Sequence, residues 1–75
     1  MTTATLTARD APEHGPGWRY LEVDCKHATT VSYAQNLEQA GITEDLLVRV
    51  LLLRHHTEER CQCTRKLRRR YGVSA

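Results

Sequence analysis

From Trp18 to Cys25 the chain alternates, with Leu21, Val23 and Cys25 on one side and Trp18, Tyr20, Glu22 and Asp24 on the other. A period of two marks a half-buried strand. Thr3 to Arg9 shows a weaker alternation of Thr with Ala and Leu. It reads either as a first hairpin strand or as a flexible N-terminus. Between the two stretches, Asp10 to Gly17 holds two Pro and two Gly, the composition of a loop.

Beyond the strand the period changes. Ser32-Tyr33-Ala34-Gln35 has the form of a capping box, which predicts a short helix from about Tyr33 to Ala40 with Gly41 as its stop. Thr43 predicts the cap of a second helix, with Glu44 and Asp45 at the positive end of its dipole. In that helix Leu46, Leu47, Val48, Val50, Leu51, Leu52 and Leu53 cover most of the circumference. Such a helix is buried all round, or half of it lies against another molecule, so a homodimer through Leu46–Leu53 is one reading. The helix is predicted to run to about Arg60, and Thr64 to cap a third one, Arg65 to Tyr71, stopped by Gly72. These elements predict an α+β fold: a short N-terminal β-strand or hairpin followed by three helices. Residues 1–17 would be the flexible N-terminus or first hairpin strand with its Pro/Gly loop. Residues 18–75 would be the compact domain, ending in a basic helix.

The chain has 75 residues, 40% hydrophobic and 27% charged, which suits one small folded domain and is too apolar for full disorder. A domain of this size buries too little surface to enclose a large enzyme cleft. There is no phosphate-binding glycine loop and no Gly-x-Ser-x-Gly, so a non-enzymatic protein is expected. The longest aliphatic run, Val50 to Leu53, is far short of a membrane span. With no signal-peptide pattern at the N-terminus, a cytoplasmic protein is expected. Nine Arg against two Lys is a bias that GC-rich bacterial coding produces.

Charge is segregated. Residues 1–63 hold six Lys/Arg against nine Asp/Glu, whereas residues 64–75 hold five Lys/Arg and no acid. That polarity points to an anionic partner, nucleic acid first and an acidic protein surface second. On a helix, Leu67 and Tyr71 would face the domain while Arg65, Lys66, Arg68, Arg69 and Arg70 fan over the rest. Guanidinium groups suit phosphate oxygens and guanine edges. Alternatively these cations pair with Asp10, Glu58 or Glu59.

The three cysteines cannot all pair within one chain, and clustered thiols in a reducing compartment more often bind metal or carry redox chemistry. Cys25-Lys26-His27 and Cys61-Gln62-Cys63 each present two side chains to one side of extended backbone. Joined, Cys25, His27, Cys61 and Cys63 make a Cys3His set of the kind that closes structural zinc sites. His56, with His55 beside it, is the alternative fourth ligand. At least one of these two histidines is expected to face solvent, and His14 to be an exposed loop residue. A small domain benefits from such a staple, worth on the order of 10–16 kcal/mol of apparent zinc binding energy. The spacings differ from the usual zinc-finger and helix-turn-helix patterns. The competing readings are that Cys25 is a small buried hydrophobe beside two free thiols, or that Cys61 and Cys63 form a redox pair. The expected function is a small zinc-binding, DNA-associated, transcription-regulator-like module. The alternatives are a homodimeric or adaptor domain without nucleic-acid binding, and a thiol redox protein using Cys61/Cys63.

Overall fold

The computed structural model describes residues 3–73. Three antiparallel strands, β1 (Thr5–Asp10), β2 (Trp18–Asp24) and β3 (Thr29–Gln35), lie side by side in that order. A single turn, α1 (Leu37–Ala40), leads to α2 (Glu44–Glu59), and α3 (Arg65–Arg70) follows. The architecture is α+β, with a larger sheet than one strand or hairpin.

The sheet's alternation sorts its two faces. In register, Leu6 lies opposite Val23 and Ala8 opposite Leu21, while Leu21 lies opposite Ser32 and Val23 opposite Thr30. Directly paired residues share a face, so Leu6, Ala8, Leu21, Val23, Thr30 and Ser32 form the inner one. Against it α2 lays Val48, Leu51 and Leu52, which join Leu21 and Val23 as the buried core. Ala4, Leu6, Leu47, Leu67, Tyr71 and Val73 pack around that core. On the opposite face Tyr20 and Tyr33 meet edge to face at 5.2 Å, with the Arg9 guanidinium 4.3 Å from the Tyr20 ring.

The helix expected from Tyr33 to Ala40 is not formed as such. Ser32 to Gln35 belongs to β3, and helix is confined to Leu37–Ala40 behind Asn36, whose backbone is left-handed at φ 52°. The run Thr29-Thr30-Val31-Ser32-Tyr33 is mostly β-branched and aromatic, and all seven residues of β3, Thr29 to Gln35, pair with β2. Ladder bonds along a whole strand outweigh the modest gain of one local cap. The stop at Gly41 stands, with φ 72° and its N–H on the carbonyls of Glu38 and Leu37.

Thr43 caps α2 by accepting the N–H of Leu46 at 3.2 Å. The apolar ring around α2 is divided. Val48, Leu51, Leu52 and His55 face the sheet and are buried, whereas Leu46, Val50 and Leu53 are 45%, 58% and 45% exposed. At the start of α3, Thr64 makes no side-chain cap. Its hydroxyl instead accepts Nε–H of Arg68 at 3.1 Å.

Candidate metal centre

The four residues singled out as ligands come from two places 36 residues apart. Cys25 and His27 sit in the tight turn between β2 and β3, closed by the Cys25 N–H on the Ala28 carbonyl at 3.0 Å. Cys61 and Cys63 sit in the loop joining α2 to α3, just past Arg60, whose left-handed backbone (φ 51°) ends the helix. Because α2 crosses the inner face of the sheet, its C-terminal end delivers this loop to the β2–β3 turn. A backbone bond from Ala4 N–H to the Cys63 carbonyl, 3.0 Å, straps the start of β1 to the same loop.

The ligand atoms of Cys25, His27, Cys61 and Cys63 all lie within 4.8 Å of one another. Cys25 Sγ is 3.9 Å from Cys61 Sγ and 3.7 Å from His27 Nδ1. His27 Nδ1 is 3.5 Å from Cys63 Sγ. Bond lengths of about 2.3 Å to sulfur and about 2.0–2.1 Å to nitrogen give a tetrahedron with S···S edges near 3.8 Å and S···N edges near 3.6 Å. The donor set and these three separations therefore fit a tetrahedral ion. Cys63 is buried, Cys25 and Cys61 are half-buried, and His27 is exposed. The cluster thus lies at the rim of the core.

Electrostatics distinguishes the thiols. Burial opposes ionisation of Cys25, but the backbone N–H groups of His27 and Ala28 and the side chains of His27 and His55 outweigh it, bringing the thiol down to about 6. Burial pushes Cys61 up, and the side chains of Cys63 and Cys25 add to that against the Cys63 backbone N–H. Several thiolates at this spacing repel one another, and a divalent cation turns that repulsion into attraction.

The other histidines are placed differently from one another. His56 Nδ1 donates to the Cys61 carbonyl at 3.0 Å and lies outside the four-residue cluster; it is half-buried. His14 is exposed, as the loop suggested, and its ring lies tilted against Tyr33 with centroids 4.0 Å apart. His55 is 0% exposed, with Nε2 3.2 Å from Cys25 Sγ and Nδ1 2.7 Å from Thr30 Oγ1. Sequence reasoning had His55 only as a spare ligand or a surface residue, and missed Thr30. The signal for His55 was present: positions 48, 51, 52 and 55 fall on one helical face. Thr30 could not be found without β3.

The basic segment is also sorted by the fold. Arg65, Lys66, Arg69 and Arg70 are exposed. Arg68 is not available to a partner: it is 7% exposed, with Nε on Thr64 and a second nitrogen on Gln62 Oε1 at 3.0 Å. Gln62 stands between the two loop cysteines, so Arg68 braces the Cys61–Cys63 loop from below. Asp10 pairs with Arg19 at 3.0 Å and not with the C-terminal cations. No helix among the described residues is long and apolar enough to cross a membrane. Comparison with protein-family models, curated proteins and solved structures gave no match.

Proposed function

We propose that this protein is a small, non-enzymatic zinc-binding module in which the ion fastens the β2–β3 turn to the α2–α3 loop and presents α3 to nucleic acid. The observation that carries the reading is the convergence of four Cys and His ligand atoms within 4.8 Å, with three of their separations, 3.5, 3.7 and 3.9 Å, close to tetrahedral edges. With four protein ligands the sphere is closed, so the ion is structural. The nucleic-acid part is supported by Arg65, Lys66, Arg69 and Arg70, which are exposed on the helix that follows the site and belong to a segment without acids. Four phosphate contacts give a log–log salt slope of about −3.6, at about −0.9 per contact. A transcription-regulator-like role in the cytoplasm of a bacterium is the setting this suggests.

Native mass spectrometry tests the first part, and one zinc per chain is the expected result. Gel-shift titration over a salt series tests the second: a slope near the value above supports it, and salt-insensitive or absent binding rejects it. The specific observation favouring an adaptor or homodimer is the outward stripe of Leu46, Val50 and Leu53. Sedimentation separates that reading, since a dimer that forms without nucleic acid and breaks on Val50→Glu would favour it.

A further inference from the structure

We propose that His55 is a positioning residue of the metal centre, donating its Nε2–H to the sulfur of Cys25 while Thr30 holds the ring from the other side. The proposal rests on the metal reading above and adds a residue that is not one of the four ligands.

His55 is sealed in the core at 0% exposure, among Val48, Leu51 and Leu52 on the inner face of α2. A polar ring there is costly unless both nitrogens are satisfied. Both are: Nε2 lies 3.2 Å from Cys25 Sγ and Nδ1 lies 2.7 Å from Thr30 Oγ1. The direction of these bonds follows from chemistry. A metal-bound thiolate only accepts, so Nε2 carries the proton. In the neutral ring Nδ1 is then an acceptor, and the Thr30 hydroxyl, free to rotate, donates to it. That arrangement of protons satisfies all three groups.

Three thiolates around a divalent ion leave an excess negative charge, and N–H donors to sulfur spread it. His55 Nε2 lies 3.2 Å from Cys25 Sγ, on which the His27 backbone N–H also bears at 3.4 Å. The Thr30–His55–Cys25 chain also links β3, α2 and the β2–β3 turn. It therefore fixes the Cys25 rotamer before the ion arrives.

Cobalt titration of the full chain tests this, with the sulfur-to-cobalt charge-transfer band and competition against zinc as readouts. His55→Leu should weaken metal binding by about 10–100-fold and shift the charge-transfer band. His55→Gln, whose amide N–H reaches nearly the same place, should recover most of the loss. Thr30→Val should fall between them. On the zinc-loaded protein, iodoacetamide mapping should show Cys25 alkylated faster in His55→Leu than in wild type, as a sulfur that has lost a donor becomes more nucleophilic. A wild-type affinity and band in His55→Leu would overturn the proposal, as would His55→Gln behaving like His55→Leu, which would reduce the ring to packing. If His55→Leu does not fold, His55→Gln and Thr30→Val decide alone: unchanged band and affinity in Thr30→Val would overturn it. A wild-type chain that takes up no cobalt removes the metal reading itself, whereas normal loading with an insensitive His55 removes this inference alone.

Discussion

The two ends of α2 are fastened to the same sheet by different chemistry. At the N-terminal end, Arg19 of β2 bridges Glu44 at 2.8 Å and Asp10 at 3.0 Å. At the C-terminal end, Cys25 and His27 of the β2–β3 turn meet Cys61 and Cys63. The first clasp is complete with protein groups alone, but its partners remain in contact with water, so it adds little. The second gathers donors that repel when ionised and that a bound cation would hold together. Between the clasps runs a core of five buried aliphatic side chains, modest for a fold with two layers. On the proposed reading the C-terminal clasp is the stronger of the two, and it decides whether α3 is docked.

If the proposed ion fastens the C-terminal end, its removal has the largest effect. With chelator, or in Cys63→Ser, α3 should undock and helicity by circular dichroism should fall, with a loss of several kcal/mol expected from zinc-linked folding. Full retention of helicity and melting temperature in excess chelator would contradict it. Next in size is Leu52→Ala, at the middle of α2 and 0% exposed. It should cost about 2–5 kcal/mol in urea unfolding of the metal-loaded protein, with metal stoichiometry unchanged. Arg68→Ala is smaller, at about 1–3 kcal/mol, because it strips partners from Thr64 and Gln62. It should loosen the cysteine loop and raise the zinc off-rate. Arg69→Ala, by contrast, should leave stability alone and, on the proposed nucleic-acid reading, reduce the salt slope of that binding by about 0.9. The smallest effect belongs to the N-terminal clasp. Glu44→Gln should change stability by less than about 1 kcal/mol, and less still at high salt; a larger loss would reverse the ranking of the two ends.

The period-two pattern of Trp18 to Cys25, the Thr43 cap, the Gly41 stop and the basic helix at the C-terminus were all legible along the chain. Each depends on neighbours within a turn or a strand, where local sterics and hydrogen bonding decide. The two i, i+2 pairs were legible as donors for the same reason. What the chain could not disclose was which distant segments meet. Ser32 to Gln35 satisfied a helix-cap pattern and became strand because β2 offered it a full ladder. Arg68 looked like its neighbours, and only the closure of the Cys61–Thr64 loop against it turned it inward. His55 came to lie buried between two polar partners because the register Val23 opposite Thr30 set a hydroxyl on one side of the ring and Cys25 on the other. Local pattern specifies the elements and the kinds of ligand. The partner of each is chosen by sheet register, set by strand pairs 5 to 19 residues apart, and by helix docking, which brings together residues 25 to 36 apart in the chain.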